Sequence, residues 1–249
     1  MQTPHDQPPP LPPRQPHHAD WAAMLRAIAA RSLEDAGRSP DQIPDPADPA
    51  SVFADDLGHR RPVDRPFFAW RHARTRGNSP DTATPDTHAN ANADPDTQLW
   101  HALTDKRADP LRTLASFDAG HARDRTDGGA LFGQHDGHVP LEVWTERELS
   151  AAHALGWLAR TRRDPSLATR LDAAMAWHLE NLQPDNATNH PWAVHLFLFW
   201  SDRHDNPSGR MYAETLLHNC QVSMGRADAF SAHILIDAAD WLDHDAPRP

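Results

Sequence analysis

The stretch PWAVHLFLFWS, residues 191–201, decides the fold. Proline is common in the first turn of a helix, where its missing N–H would have no partner in any case. The residues that follow are apolar on nearly every side of a helix, which is typical of a helix buried at the centre of a domain. We therefore expect a central helix from Pro191 to Ser201, with other helices packed around it.

Four further helices are predicted on either side of this central one. The segment Thr145–Glu148 has the capping-box pattern, in which a threonine hydroxyl and a glutamate satisfy backbone amides at a helix start. Asp164-Pro165 interrupts the chain, and Asn206–Gly209 has the composition of a turn. The expected helices span residues 145–162, 166–182, 210–224 and 228–243. Short connections favour antiparallel hairpins, so the fold class is all-α: a helical array or a partial ring.

The sequence before this core is rich in proline and has a different character. We expect a proline-rich disordered tail over residues 1–18 and a loop-rich region over 19–138, ahead of the helical core domain at 139–245. Asp20 and Gly37 bracket an amphipathic helix, Trp21–Ala36, which must dock on the core because it is not stable alone. Phe67–Trp70 is a second apolar anchor. Short helices are predicted at 99–103 and 110–117, a disordered insert at 78–97, and further loops at 38–66 and 118–138.

Composition excludes several classes of protein. The net charge is −11, and Lys106 is the only lysine, so no basic stripe is available to attract nucleic acid. No apolar run is long enough to span a membrane, and the first residues lack an apolar leader. Cys220 is the only cysteine and is interpreted as a buried apolar residue. These features predict a cytoplasmic protein that binds neither nucleic acid nor membranes.

Each predicted core helix carries one histidine in its body: His153, His178, His195, His218 and His233. A buried neutral imidazole needs hydrogen-bond partners for both nitrogens. The histidines can therefore be structural groups satisfied by neighbouring helices. Alternatively, imidazoles that converge from several helices can form a metal or proton-transfer site.

Glu214 and His218 are the candidate catalytic residues. They lie four positions apart in an otherwise apolar helix, so their side chains share one face about one turn apart. Such a pair can act in acid–base catalysis, and it can equally be a buried pair that fixes the packing of helices. Tyr212, the only tyrosine, precedes them and is a candidate ligand-binding residue.

Two loops are candidates for ligand binding. The segment 183–192 concentrates polar and turn-forming residues between two helices, and binding residues often lie on such loops. Its Asp and Asn side chains can instead cap helices and shape turns. Leu141–Trp144 similarly places a carboxylate and a tryptophan before a helix start. The candidates are Asp185, Asn186, Asn189, His190, Trp192, Glu142 and Trp144.

The last helix carries three polar residues at helical spacing. His233, Asp237 and Asp240 share one face, and the apolar Leu235, Ala238 and Leu242 occupy another. The simplest interpretation is that the polar face is exposed to solvent.

Motifs that mark common enzymes are absent from the sequence. There is no phosphate-binding glycine loop, no His-Glu-x-x-His zinc signature and no Gly-x-Ser-x-Gly elbow. Nucleotide hydrolases, common metalloproteases and typical esterases are therefore not expected. No residue is assigned to a metal, and no cofactor is predicted.

The predicted hairpins, with tryptophans near helix ends and polar loops between them, resemble the α/α-toroid superfamily. That group includes terpenoid cyclases, prenyltransferase subunits, polysaccharide lyases and glycosidases. The resemblance covers residues 98–245 and is architectural, since the chain has neither an Asp-rich cyclase motif nor a repeated Gln…Trp element. It implies a cleft that uses Glu or Asp with His, and tryptophans that stack on sugar rings.

Two functions lead at this point, ahead of a metal-dependent enzyme. The first is a non-catalytic helical module that binds a protein or a small molecule. The second is a toroid-like enzyme that acts on a carbohydrate or lipid-like substrate.

Overall fold

The all-α prediction is confirmed by the computed structural model. The residues described are 17–46, 63–76, 94–118, 129–133, 135, 137–182, 190–222 and 225–245. Within these ranges the chain forms nine α-helices and no β-strand. They are α1 (His18–Asp35), α2 (Asp64–Thr75), α3 (Pro95–Thr104), α4 (Pro110–Asp118), α5 (Leu141–Arg162), α6 (Pro165–Asn181), α7 (Val194–His204), α8 (Pro207–Val222) and α9 (Ala229–Asp245). The predicted tail, the insert and the candidates Asp185, Asn186 and Asn189 lie wholly or mainly outside the described residues.

The N-terminal helices pack onto the C-terminal ones, as the apolar faces of the sequence predicted. Helix α1 lies along α9, α2 contacts α3, and α3 contacts α5. Leu25 and Leu33 of α1 are fully buried. Arg26 of α1 donates to Asp240 of α9 over 2.8 Å and forms an ion pair with Asp243. The described N-terminal elements therefore complete the core that the C-terminal helices form.

An aromatic cluster at the centre of the core joins four parts of the chain. Phe67 of the predicted anchor lies in α2, and its ring is 5.1 Å from that of Trp100 and 5.2 Å from that of Trp192. Phe230 of α9 contacts the same Phe67 at 5.8 Å. Edge-to-face contacts of this kind add to the free energy of burying the rings. The cluster fixes α2, α3 and α9 around the residues that precede α7.

The predicted capping box at Thr145–Glu148 is wrong. Helix α5 begins four residues earlier, at Leu141, and both polar residues lie inside it and are buried. The Glu148 carboxylate instead accepts the backbone N–H groups of Leu131, over 2.7 Å, and Phe132, over 2.5 Å. It therefore holds a loop that is distant in sequence, a partner that a local pattern cannot show.

Other helix boundaries differ from the predictions by a few residues. Helix α7 begins at Val194 rather than Pro191 because Ala193 has a left-handed backbone, with φ of 59°. Helix α8 begins at Pro207, inside the segment that was predicted to be a turn. Asp20 lies in the first turn of α1 and accepts the His17 N–H over 2.9 Å, so it supports a helix start before Trp21.

Gly209 of α8 lies against the backbone of α7, and replacing it with alanine tests this contact. A Cβ atom there would lie 2.6 Å from the Phe197 carbonyl oxygen and 3.0 Å from the Ser201 Cβ. The clash is with backbone, so we expect an overpacking cost of about 3 kcal/mol, which exceeds the roughly 1 kcal/mol that alanine gains in helix propensity. Gly209→Ala should lower the free energy of unfolding in urea by about 2 kcal/mol.

Gly156→Ala is the matched control for this prediction. Its added Cβ would lie 2.8 Å from Leu196 Cδ2, the end of a side chain that can rotate away. We expect a smaller loss of stability than for Gly209→Ala. Equal losses for the two variants, or a Gly209→Ala protein as stable as the wild type, would contradict the close approach of α7 and α8.

Candidate functional site

Glu214 and His218 lie on the solvent-exposed face of α8. The alternative that they form a buried pair does not hold, because the buried residues of α8, including Ala213, Leu216 and Leu217, are on the opposite side. Both side chains are thus open to solvent. Neither is held in the low-polarity surroundings that tune acid–base groups in enzymes.

The other sequence candidates are spread over several parts of the molecule. Trp192 is fully buried in the aromatic cluster, and the ring of His190 lies 5.3 Å from that of Phe230. Tyr212 is buried and stacks on Phe197 with ring centroids 4.1 Å apart, and burial raises the pKa of its phenol. These three side chains are therefore held by aromatic packing.

The segment before α5 was the second loop proposed for ligand binding. It belongs to the first turn of α5, where Glu142 is exposed and Trp144 is buried. The Trp144 ring contacts that of Trp177 on α6, with centroids 5.9 Å apart. Trp144 therefore serves the packing of α5 against α6, and no sugar-stacking surface forms from it.

A buried carboxylate, Asp237 of α9, organises the polar interior. Its Oδ2 accepts from His153 Nε2 over 3.0 Å and from Trp157 Nε1 over 2.6 Å, and its Oδ1 pairs with Arg74 of α2 at 3.1 Å. Burial alone would raise the pKa of Asp237, but Arg74 and His153 reverse that effect and hold it well below its usual range. The predicted solvent-exposed face is wrong here, since Asp237 and His233 are both buried.

The imidazole of His153 is neutral by geometry. Its Nδ1 accepts the Ala193 N–H over 3.3 Å, so the ring proton is on Nε2 and is donated to Asp237. Burial lowers the pKa of His153, in agreement with this assignment. Asp237 and His153 are thus the two kinds of group that acid–base catalysis uses. Neither side chain, however, has any solvent-exposed surface.

Two other helical histidines are also buried and neutral. The guanidinium of Arg71 can only donate, so the 2.7 Å contact with His233 makes its Nδ1 an acceptor, and burial lowers the pKa of His233. The ring of His195 lies 4.3 Å from that of His153, and its nitrogens have no hydrogen-bond partner among the described residues. Burial and the neighbouring His153 hold its pKa well below its usual range.

The structural interpretation of the histidines therefore applies to His153 and His233, which are satisfied by neighbouring helices. In the described part of the chain no group of three His, Cys, Asp or Glu side chains is arranged to hold a metal ion. Cys220 is buried as predicted, and burial raises the pKa of its thiol to about 12. The thiol is therefore not an activated nucleophile.

A surface groove bounded by α5, α6, α7 and α9 is the feature best suited to a ligand. Its volume is about 260 Å³. Small-molecule sites are typically concave and apolar with a few polar groups, and usually somewhat larger than this one. The apolar lining includes Ala159, Leu171, Met175, Leu196, Phe199 and Trp241.

The polar groups of the groove are mainly hydrogen-bond donors. Arg160 and Arg203 line it, together with a single carboxylate, Asp172. Arg160 donates to the Trp241 carbonyl over 2.9 Å and lies over the Trp241 ring at 5.1 Å. Trp200 and Trp241 also line the groove, and their buried indole N–H groups have no acceptor among the described residues. The indole N–H groups have no accessible surface, so the guanidinium groups are the donors that the groove offers to an incoming molecule.

Comparison with protein-family models, with curated proteins and with solved structures gave no match. The resemblance to α/α toroids stays a prediction. Among the described helices, none combines the length and the apolar character that crossing a membrane requires.

Proposed function

We propose that this protein is a helical binding module, and that the groove between α5, α6, α7 and α9 holds a small, predominantly apolar molecule. The observation that carries the proposal is the apolar lining of this groove beside polar groups at its edge. Its volume would hold about nine water molecules, so the ligand is smaller than most drug-sized molecules. A cytoplasmic location, with no nucleic-acid or membrane partner, belongs to the same proposal.

The enzyme alternative has weaker support from the described residues. Asp237 and His153 are the right pair of groups for acid–base chemistry, but neither side chain reaches solvent. A catalytic group must come within hydrogen-bond distance of its substrate. The pair serves better as a fixed link between α5, α9 and Arg74 of α2 than as a catalyst for a carbohydrate or lipid-like substrate.

Filling the groove is the direct test. Ala168 lines the groove and is exposed, so Ala168→Trp adds a large ring to the groove without disturbing the core. We expect isothermal titration with 1-decanol, a neutral apolar probe, to show binding to the wild type that is at least about tenfold weaker in Ala168→Trp, since the ring displaces several buried CH₂ groups.

Thr169→Trp is the control, because Thr169 is the next residue of α6, is exposed, and does not line the groove. It should bind decanol as the wild type does. Sedimentation of both variants reports whether a second copy of the chain fills the groove. A wild-type dimer that Ala168→Trp dissociates, or decanol binding that Ala168→Trp leaves unchanged, would overturn the proposal.

A further inference from the structure

We infer that the ligand of this groove is an amphipathic carboxylate, with its apolar tail against the lining and its carboxylate among the donors. This inference rests on the proposed function and goes beyond it by naming the ligand class. The observation that carries it is the charge of the groups that line the groove.

The charge balance at the groove opposes that of the whole protein. The chain has a net charge of −11, whereas the groove is lined by two guanidinium groups and one carboxylate. The Asp172 carboxylate is hydrogen-bonded by His204 Nε2 over 2.9 Å, while the Arg203 guanidinium lies 3.9 Å from it, beyond hydrogen-bonding distance. Arg203 is half exposed and can therefore turn toward a ligand's carboxylate while Asp172 keeps its bond to His204.

The chemistry of the ligand's polar end follows from these groups. A carboxylate is an acceptor-only group with two oxygens, which suits a guanidinium donor. An amine would bring donors to a groove that already has them, and an alcohol would bring only one oxygen.

The groove has a polar part and an apolar part, which match the carboxylate and the tail of the ligand. The guanidinium of Arg160 lies over the Trp241 ring and donates to its carbonyl, so Arg160 fixes this tryptophan at the edge of the groove. Leu171, Met175 and Leu196 provide the apolar surface for the tail. A chain of about ten carbons suits a groove of this volume, which makes decanoate the probe of choice.

The test compares decanoate with 1-decanol and decylamine by isothermal titration at pH 7.5. We expect decanoate to bind the wild type about tenfold more tightly than decanol, as one charge-assisted hydrogen bond would give, and decylamine to bind most weakly. Arg203→Gln should remove most of the advantage of decanoate over decanol, because it removes the guanidinium that pairs with the carboxylate. Asp172→Asn should strengthen decanoate binding about threefold, because it removes a repulsive charge.

The outcomes separate this inference from the proposed function. If decanol binds in the groove, and Ala168→Trp abolishes that binding, but decanoate binds no more tightly than decanol, the ligand class is wrong and the binding module stands. If decanoate binds to Ala168→Trp as well as to the wild type, both fail. Tighter binding of decylamine than of decanoate would overturn the carboxylate assignment. Arg203 is exposed, so its substitution tests the inference without disturbing the core.

Discussion

Replacing Asp237 with asparagine is expected to lower the free energy of unfolding by about 3–5 kcal/mol, the largest effect of any single substitution considered. The carboxylate is fully buried and is contacted by Arg74, His153 and Trp157. Without its charge, the guanidinium of Arg74 stays in the interior with weaker compensation, and an asparagine oxygen accepts less strongly than a carboxylate. Urea unfolding followed by circular dichroism measures the loss.

Asp243→Asn is the matched control. Asp243 is also on α9 and forms an ion pair with Arg26, but its side chain is 47% exposed. Surface pairs contribute at most about 1 kcal/mol, so this variant should stay close to the wild type. If both substitutions cost the same, Asp237 is not the centre of the buried network.

The lowered pKa of Asp237 determines the pH range over which its carboxylate contributes to the free energy of unfolding. A carboxylate whose pKa is lower in the folded state contributes stability that is present above its unfolded pKa and is lost as the pH falls. The difference in stability between the wild type and Asp237→Asn should therefore shrink below about pH 4. A difference that stays constant from pH 7 to pH 3 would contradict the ionised, salt-bridged carboxylate.

Asp96 is expected to have the opposite pH dependence. This α3 carboxyl group is buried, and burial raises its pKa to about 6, in spite of hydrogen bonds from the Thr97 backbone and Ser150. At low pH the carboxyl group is neutral and is buried at little cost. At high pH the folded protein must instead keep a charged carboxylate in its interior. The stability that Asp96 contributes is thus present below about pH 4 and lost as the pH rises through about 6.

Asp96→Asn should remove this loss. Two pKa units correspond to about 3 kcal/mol, so the variant should gain about that much stability relative to the wild type between pH 4 and pH 8. Thermal unfolding at a series of pH values measures the gain. Asp41→Asn, at an exposed position, is the control and should follow the wild type at every pH. A variant curve parallel to that of the wild type would mean that Asp96 is not buried as a neutral acid.

The sequence predicted the helices of this protein well because their signals are local. Asp164 caps α6 through the Ser166 N–H over 2.8 Å, where the Asp164-Pro165 break was expected. The residues of the central helix are buried through Leu198, as their apolar character indicated. The packing of α1 and of the segment around Phe67 against the core was also predicted, because their apolar faces would otherwise be exposed to water.

The polar interior could not be predicted in the same way, because its partners come from distant parts of the chain. Asp237, His233 and Asp240 look like an exposed face when only α9 is considered. Arg71 and Arg74 of α2 cover that face, and they lie more than 150 residues earlier in the sequence. The same reason explains Glu148, whose partners are the amides of a loop and not those of its own helix.

The groove was missed because no segment of sequence contains it. Helices α5, α6 and α7 each contribute three or four residues and α9 contributes Trp241, and only their packing creates the space. Glu214 and His218 were predicted as candidates from their spacing. That spacing shows that two side chains share a helix face, but it does not show which face is buried. A pair of polar residues at that spacing, in a helix whose Met211 and Val222 are also exposed, is compatible with a solvent-facing side.

The central claim, that the groove is the ligand site, is tested most directly by the indole N–H resonances of the nine tryptophans in a ¹⁵N-labelled sample. Trp200→Phe and Trp241→Phe assign the two signals that matter. On addition of decanoate, we predict that the Trp200 and Trp241 signals move most, while that of Trp100, which donates to Ser150 inside the core, stays in place. If no indole signal moves, or if tryptophans outside the groove move while these two do not, the claim is contradicted.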